Sequence, residues 1–178
     1  MTEVILGLGS NIDNRLDYAK QAIAALIDKE ILKNLKISKI YESKAYLPDD
    51  APPDWDKDYI NLAVSGDTDL SPAQLLKSVK QIEQELGRID RGFWSPREID
   101  IDILIYGNEE IITENLVIPH KYFLERPFAL WPANDLKPEW KYPKKGTFYN
   151  KTLKEIVSLS KLDNNSCWLT NLNMEKHG

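Results

Sequence analysis

Two carboxylates stand two residues apart in the run Trp94 to Tyr106, WSPREIDIDILIY. Successive side chains of a strand point to opposite faces, so Asp100 and Asp102 share one face and Ile99, Ile101 and Ile103 take the other. Beyond Asp102 the alternation gives way to Ile103, Leu104, Ile105 and Tyr106, the pattern of a strand covered on both sides. Two like charges roughly 7 Å apart on a half-buried face repel each other and lose hydration. A hard cation between them removes both costs, and Mg2+ favours a shell of one or two carboxylates, several waters and substrate phosphates. Arg88, Arg91 and Arg97 lie just upstream, with Trp94 among them. Guanidinium groups match phosphate oxygens, and an indole can stack on a base or cover a site. Metal carboxylates beside phosphate-binding arginines describe a nucleotide-dependent phosphoryl transferase. The same alternation also fits a half-exposed strand with solvated aspartates, and the residues alone leave both readings open.

The elements that must position these groups follow from periodicity. Val4 to Leu8 reads as a buried strand running into Gly7-Leu8-Gly9-Ser10-Asn11, where the glycines suit a tight strand-to-helix turn and Ser10 or Asn11 is a minor candidate for the site. The third glycine of a dinucleotide fingerprint is missing. Leu16, Ala19, Ile23, Leu26 and Ile27 recur at helical spacing and predict a helix over 14–29, with Asp13 or Asn14 as its cap. A second strand is expected over 35–46. The stretch 47–57 carries Pro48, Pro52 and Pro53 and is irregular, either a solvated linker or a lid over a site. Tyr59 to Thr68 reads as a third strand with Tyr59, Asn61 and Ala63 on one face. Asn61 is out of place there by propensity, so it is either a satisfied structural amide or a polar reader in a pocket.

Ser71-Pro72 opens a second long helix with the stripe Leu75, Leu76, Val79, Ile82 and Leu86, and Gly87 closes it. Glu83 lies near the negative end of that helix dipole, an unusual place for an acid unless it meets solvent, an arginine or a nucleotide hydroxyl. His120 sits within a few residues of Lys121, Tyr122, Arg126 and Phe128, so a structural and a site role are both open. Phe128, Leu130 and Trp131 read as the core of a short helix. Residues 137–151 read as peripheral, 152–159 as a last short helix, and the tail from Lys161 as loosely packed.

The order strand, helix, strand, strand, helix, strand is that of the split βαβ, ferredoxin-like arrangement. The expected fold is therefore α+β, with an antiparallel sheet, helices packed on one face, and C-terminal additions. One domain over 1–178 is expected, with its core in 1–135 and an extension over 136–178. A chain of 178 residues with 42% hydrophobic and 29% charged residues can bury such a core. A net charge of −5 argues against bulk nucleic-acid binding. The one cysteine, Cys167, allows no internal disulfide, and the N-terminus lacks the charge pattern of a signal peptide. No apolar run approaches membrane-spanning length. These features lead us to expect a cytoplasmic monomer acting on small molecules, without nucleic-acid or membrane partners.

Beside this reading, the sequence resembles the 6-hydroxymethyl-7,8-dihydropterin pyrophosphokinases of folate biosynthesis. The resemblance rests most specifically on Pro96-Arg97-x-x-Asp100-Ile101-Asp102-Ile103-Leu104, supported by the opening GLGSN, Tyr59-Ile60-Asn61, Gly87-Arg88 after Glu83, the Pro119-His120 segment and Leu130-Trp131-Pro132. It implies transfer of a pyrophosphoryl group from ATP to the pterin hydroxymethyl, with release of AMP and use of two Mg2+ ions. It implies that Asp100 and Asp102 bind the metal and that Arg88, Arg97 and Arg126 hold phosphates. Trp94 would help close the site, with Glu83, Ile103 and His120 on the ATP side. Ser43, Tyr59, Asn61 and Phe128 would line the pterin pocket. The loop from Gly87 to Trp94 is shorter than in bacterial members, and the role of Arg91 stays open. Where the family usually reads threonine, prolines and a glycine, this chain has Ser43, Lys44, Ala45 and Tyr46.

Overall fold

The computed structural model describes residues 1–89, 91–92, 95–162 and 165–174. The chain runs β1 (Thr2–Ser10), α1 (Arg15–Asp28), β2 (Lys33–Ile37), β3 (Tyr41–Ser43), β4 (Tyr59–Thr68), α2 (Pro72–Glu85) and β5 (Asp100–Tyr106). The short pair β6 (Ile111–Ile112) and β7 (Val117–Ile118) follows, then α3 (Pro127–Leu136), α4 (Leu153–Leu159) and β8 (Cys167–Leu169). The main sheet is ordered β5-β1-β4-β3-β8, with β2 also paired to β4. Its pairings are all antiparallel. The order of β5, β1, β4 and β2/β3 is compatible with the expected split βαβ core.

The two long helices form for the reasons their sequences carry. Ser71 makes a reciprocal capping box with Gln74 ahead of Pro72, and Gly87 takes φ +91° just beyond the last turn. Ala19, Ala22, Ile23 and Leu26 of α1 and Leu75, Val79 and Ile82 of α2 are the buried stripes. They pack with Leu6, Leu8, Leu62, Ile101 and Ile103 into one apolar cluster. No described helix is long and apolar enough to cross a membrane.

Four expectations need correction. Helices cover both faces of the sheet. Leu130, Ala133, Leu153 and Ile156, from α3 and α4, join Ile5, Ala63, Leu104 and Ile105 in a second cluster. That second layer explains why residues 103–106 lose their alternation: they are buried on both sides. Next, the second strand is broken in two. Ser38 interrupts it, yet its N–H donates to the Ala63 carbonyl at 2.9 Å and its Oγ accepts from the Ala63 N–H at 2.8 Å, so the backbone groups of β4 stay paired there. Third, Gly7 and Gly9 belong to β1 and not to a turn. Last, the tail is not loose throughout, because β8 pairs with β3 and Cys167 is buried. A three-residue strand with one cysteine and one tryptophan carries too little periodicity to be read from sequence.

Candidate active site

The sheet register assembles the site. Tyr41 of β3 faces Asn61 of β4, Asn61 faces Gly9 of β1, and Gly9 faces Asp100 of β5. One step along, Ala63 faces Gly7 and Gly7 faces Asp102. Opposed residues share a face, so the pairing sets Asn61 and both aspartates on one surface with the glycines between them. The glycines serve space here and not backbone freedom. A Cβ on Gly9 would lie 3.3 Å from the Asn61 Oδ1, and one on Gly7 would lie 3.3 Å from the Leu104 side chain. A bare strip therefore runs between the amide and the carboxylates. Over it opens a cleft of about 340 Å3, whose walls include Ser43, Tyr46, Tyr59, Arg97, His120, Tyr122, Arg126 and Phe128. A second hollow of about 190 Å3 adjoins it, with Asp102 and His120 lining both and Lys80 and Ile103 among its other walls.

The charges form a linked set. The Arg88 Nη1 donates to Glu83 Oε2 and, at 3.0 Å, to Asp100 Oδ1. Arg97 Nη1 lies 3.2 Å from Asp100 Oδ2, so both oxygens of Asp100 face guanidiniums. Glu83 is buried, and its Oε1 also takes the Ile101 N–H at 3.3 Å and faces Lys80 at 3.3 Å. Burial, and after it the Asp100 charge, raise the Glu83 pKa above the ordinary carboxylate range. Burial and then Asp100 likewise push Asp102 up to about 7. His120 is lowered, by burial first and Arg126 second. An ionised Asp102 is thus a negative charge that Lys80 and Arg97 only partly offset, a cost that a cation would reduce. Two hard carboxylates on one face fit Mg2+ completed by water and phosphate oxygens. Among the described residues no cluster of three or more His, Cys, Asp or Glu offers an all-protein cage.

The predicted site residues divide accordingly. Arg97, Asp100, Asp102, Ser43, Tyr59, Asn61, His120, Arg126 and Phe128 all meet at the main cleft, and Ile103 at its neighbour. Glu83 and Arg88 line neither, but Arg88 contacts Asp100 directly and links Glu83 to it. Arg91 is taken up elsewhere: its two terminal nitrogens lie 2.6 and 3.1 Å from the Glu98 carboxylate, which also accepts the Ile89 N–H at 3.3 Å. Trp94 lies outside the described residues. Asn61 donates from its Nδ2 to the Ser43 Oγ at 2.8 Å, as a satisfied amide would, and it also lines the cleft. Arg126 sits 4.9 to 5.9 Å from the ring centres of Tyr122, Tyr46 and Phe128.

Sequence reasoning leaves two contributors aside. Tyr46, whose ring centre is 5.8 Å from that of Phe128, adds an aromatic wall; its place beside a proline-rich loop carries no periodicity. Asn11 is only a minor candidate by sequence. Its Oδ1 accepts the Arg97 N–H at 2.7 Å, its own N–H donates to the Arg97 carbonyl at 3.1 Å, and its Nδ2 reaches the Lys57 carbonyl at 3.1 Å. One buried amide thereby fixes the backbone of Arg97 and the end of the 47–57 loop.

An antiparallel sheet layered by helices on both faces, with twin carboxylates and guanidiniums around an open strip of its floor, defines an α+β protein with a charged cleft. The family can be stated as well: the family model for 7,8-dihydro-6-hydroxymethylpterin-pyrophosphokinase matches residues 5–138, and the chain belongs to that family. A Chlamydia muridarum folate synthesis bifunctional protein is 43% identical over 159 residues, covering 88% of this chain and 35% of the relative. The chain thus spans about a third of the length of such bifunctional relatives. A 2-amino-4-hydroxy-6-hydroxymethyldihydropteridine pyrophosphokinase of Aquifex aeolicus is 40% identical over 156 residues, covering 88% of this chain and 91% of the relative. In fold, the chain is similar to a wild-type Plasmodium falciparum HPPK-DHPS, with a TM-score of 0.63 over 89% of this chain and 43% of that one; at 18% identity the likeness speaks for the fold alone.

Proposed function

We propose that this chain transfers the pyrophosphoryl group of ATP to the hydroxymethyl group of 6-hydroxymethyl-7,8-dihydropterin, giving AMP and the pterin diphosphate for folate synthesis. The observation that carries the reading is the shared sheet face: Asp100 and Asp102 stand across a glycine strip from Asn61, with Arg97 and Arg126 above. One end of the cleft suits a metal-bound triphosphate and the other a flat, hydrogen-bonding bicycle.

The hydroxymethyl oxygen attacks the β-phosphorus and gives up its proton to solvent, a new P–O bond forms, and the bond from the β-phosphorus to the bridging oxygen breaks as AMP leaves with that oxygen. Asp100 and Asp102 would hold Mg2+, two ions by resemblance to the family, and the metal would neutralise charge on the triphosphate. Arg97 and Arg126 supply further positive charge where negative charge develops on the phosphates, and Arg88 links Asp100 to Glu83. Phe128 and Tyr59 flank the pterin ring while Asn61 and Ser43 read its edge. Ile103, His120 and Glu83 belong to the nucleotide side, and Trp94 is assigned to closing the site by its resemblance to the family. The single buried cysteine and the charge balance support a cytoplasmic protein, which we propose acts as a monomer on small molecules alone.

The test is product analysis. With Mg2+, ATP and the hydroxymethyl pterin, AMP should form in step with pterin diphosphate. ADP as the product, or AMP formation indifferent to pterin, would overturn the assignment. Within that reading, Asn61→Ala should weaken pterin binding about ten- to a hundredfold, the cost of one unmet buried hydrogen bond. Calorimetry should find ATP-analogue affinity almost unchanged, and equal losses for both ligands would contradict this division of the cleft.

A further inference from the structure

β3 is only three residues long, yet it carries a wall of the cleft. Ser43 accepts the Asn61 amide hydrogen bond, and both Ser43 and Lys44 line the opening. Beyond Lys44 the chain forms no strand before Tyr59, only a 3-10 turn at Pro53–Trp55, so β3 as a sheet edge would have little to hold it. Its other edge is occupied by β8, which lies outside the residues matched by the family model. β8 brackets β3 at both ends: the Lys44 N–H donates to the Ser166 carbonyl at 3.0 Å, and the Thr170 N–H and Oγ1 donate to the Ile40 carbonyl at 3.0 and 2.9 Å. Between them Glu42 is paired with Trp168, and the alternation of an antiparallel ladder makes that a pair exchanging both backbone bonds. The first residue of β3 is also tied to α3, where the Tyr41 hydroxyl donates to Asp135 at 2.9 Å and the Tyr41 ring packs on Trp131. α3 in turn carries Phe128.

We infer that β8 is a positioning strand for the substrate cleft, converting β3 from a frayed edge into an interior strand and holding Ser43 and Lys44 at the wall the pterin would meet. The inference rests on the pterin reading of that wall. It assigns a task to the C-terminal segment, and it separates the two substrates: β8 and the aspartate strand β5 are the opposite edges of the sheet, so ATP should not depend on β8.

Cys167 supplies a built-in reporter, since its thiol is buried and burial pushes its pKa up to about 12, which makes it inert while β8 is docked. Trp168→Pro removes the central β8 donor, whereas Trp168→Ala keeps the ladder. In the full-length protein, Trp168→Pro should raise the alkylation rate of Cys167 and weaken pterin binding about tenfold, with ATP-analogue affinity within about twofold of wild type. Trp168→Ala should bind both ligands like wild type. If Trp168→Pro does not fold, Thr170→Pro, at the margin of β8, should show the same split on a smaller scale. A variant with reactive Cys167 and unchanged pterin affinity overturns the inference, as does an equal loss of both ligands. Wild-type protein that binds ATP but no pterin overturns the pocket reading itself.

Discussion

Asp102→Asn is expected to lower turnover about a thousandfold or more while making the metal-free protein more stable. The first half follows from the metal role: losing a ligand to an ion that neutralises transferring phosphates costs several kcal/mol of transition-state stabilisation, about tenfold in rate for each 1.4 kcal/mol. The second half follows from the environment of Asp102, which burial and then Asp100 hold at a pKa of about 7. A carboxyl whose folded pKa lies above its unfolded value of about 3.9 keeps its proton longer in the folded state. Its contribution to stability is therefore greatest below that unfolded value and is lost as pH rises through about 7. Without metal, wild-type melting temperature should fall across that window, and the Asp102→Asn substitution should remove that component of the fall. At pH 8 the variant should melt about 2 °C or more above wild type. Mg2+ with an ATP analogue should restore the wild type more than the variant, because only a ligand that binds the native site stabilises it. A folded variant with near-normal turnover would sink the metal role.

Arg97→Lys is expected to reduce turnover about a hundredfold, and Arg97→Ala further, with melting temperature nearly unchanged. The alternative for Arg97 is a surface pair with Glu98 or Glu83, worth about 0–1 kcal/mol. Both of those acids are occupied by others: Glu98 by Arg91, and Glu83 by Arg88 and Lys80. Arg97 instead faces Asp100 at 3.2 Å on the cleft wall. As a metal and nucleotide enter, Arg97 can exchange that carboxylate for phosphate oxygens, while Arg88 keeps Asp100 in place. Lysine retains the charge but not the planar fork that two oxygens require. Loss of one such preorganised donor costs about a hundred- to a thousandfold in turnover in comparable sites. The backbone of residue 97 is held by Asn11 whatever its side chain, which is why stability should hardly move. Near-normal turnover in both variants would return Arg97 to a structural role.

Local pattern by itself determined a good part of this protein. Period-two alternation placed Asp100 and Asp102 on one face, 3.6-residue periodicity outlined α1 and α2, and Ser71, Pro72 and Gly87 marked the ends of α2, because those signals are properties of a single segment. What stayed hidden depends on register and packing between distant segments. Gly9 reads as a turn residue until β1 is seen between Asn61 and Asp100, where the missing side chain clears the floor of the cleft. Asn11 reads as a turn residue until it meets Arg97, 86 positions away. Arg88, Arg91 and Arg97 are alike in sequence, yet the fold gives them different partners: Glu83 and Asp100 for the first, Glu98 for the second, and Asp100 on the cleft wall for the third. β8 carries no pattern of its own and becomes a strand only because the open edge of β3 supplies donors and acceptors for it. Residue types and spacing determine which chemistry this chain can carry; which copy of a residue carries it is decided by the antiparallel register and by which carboxylate lies within reach of each side chain once the sheet has formed.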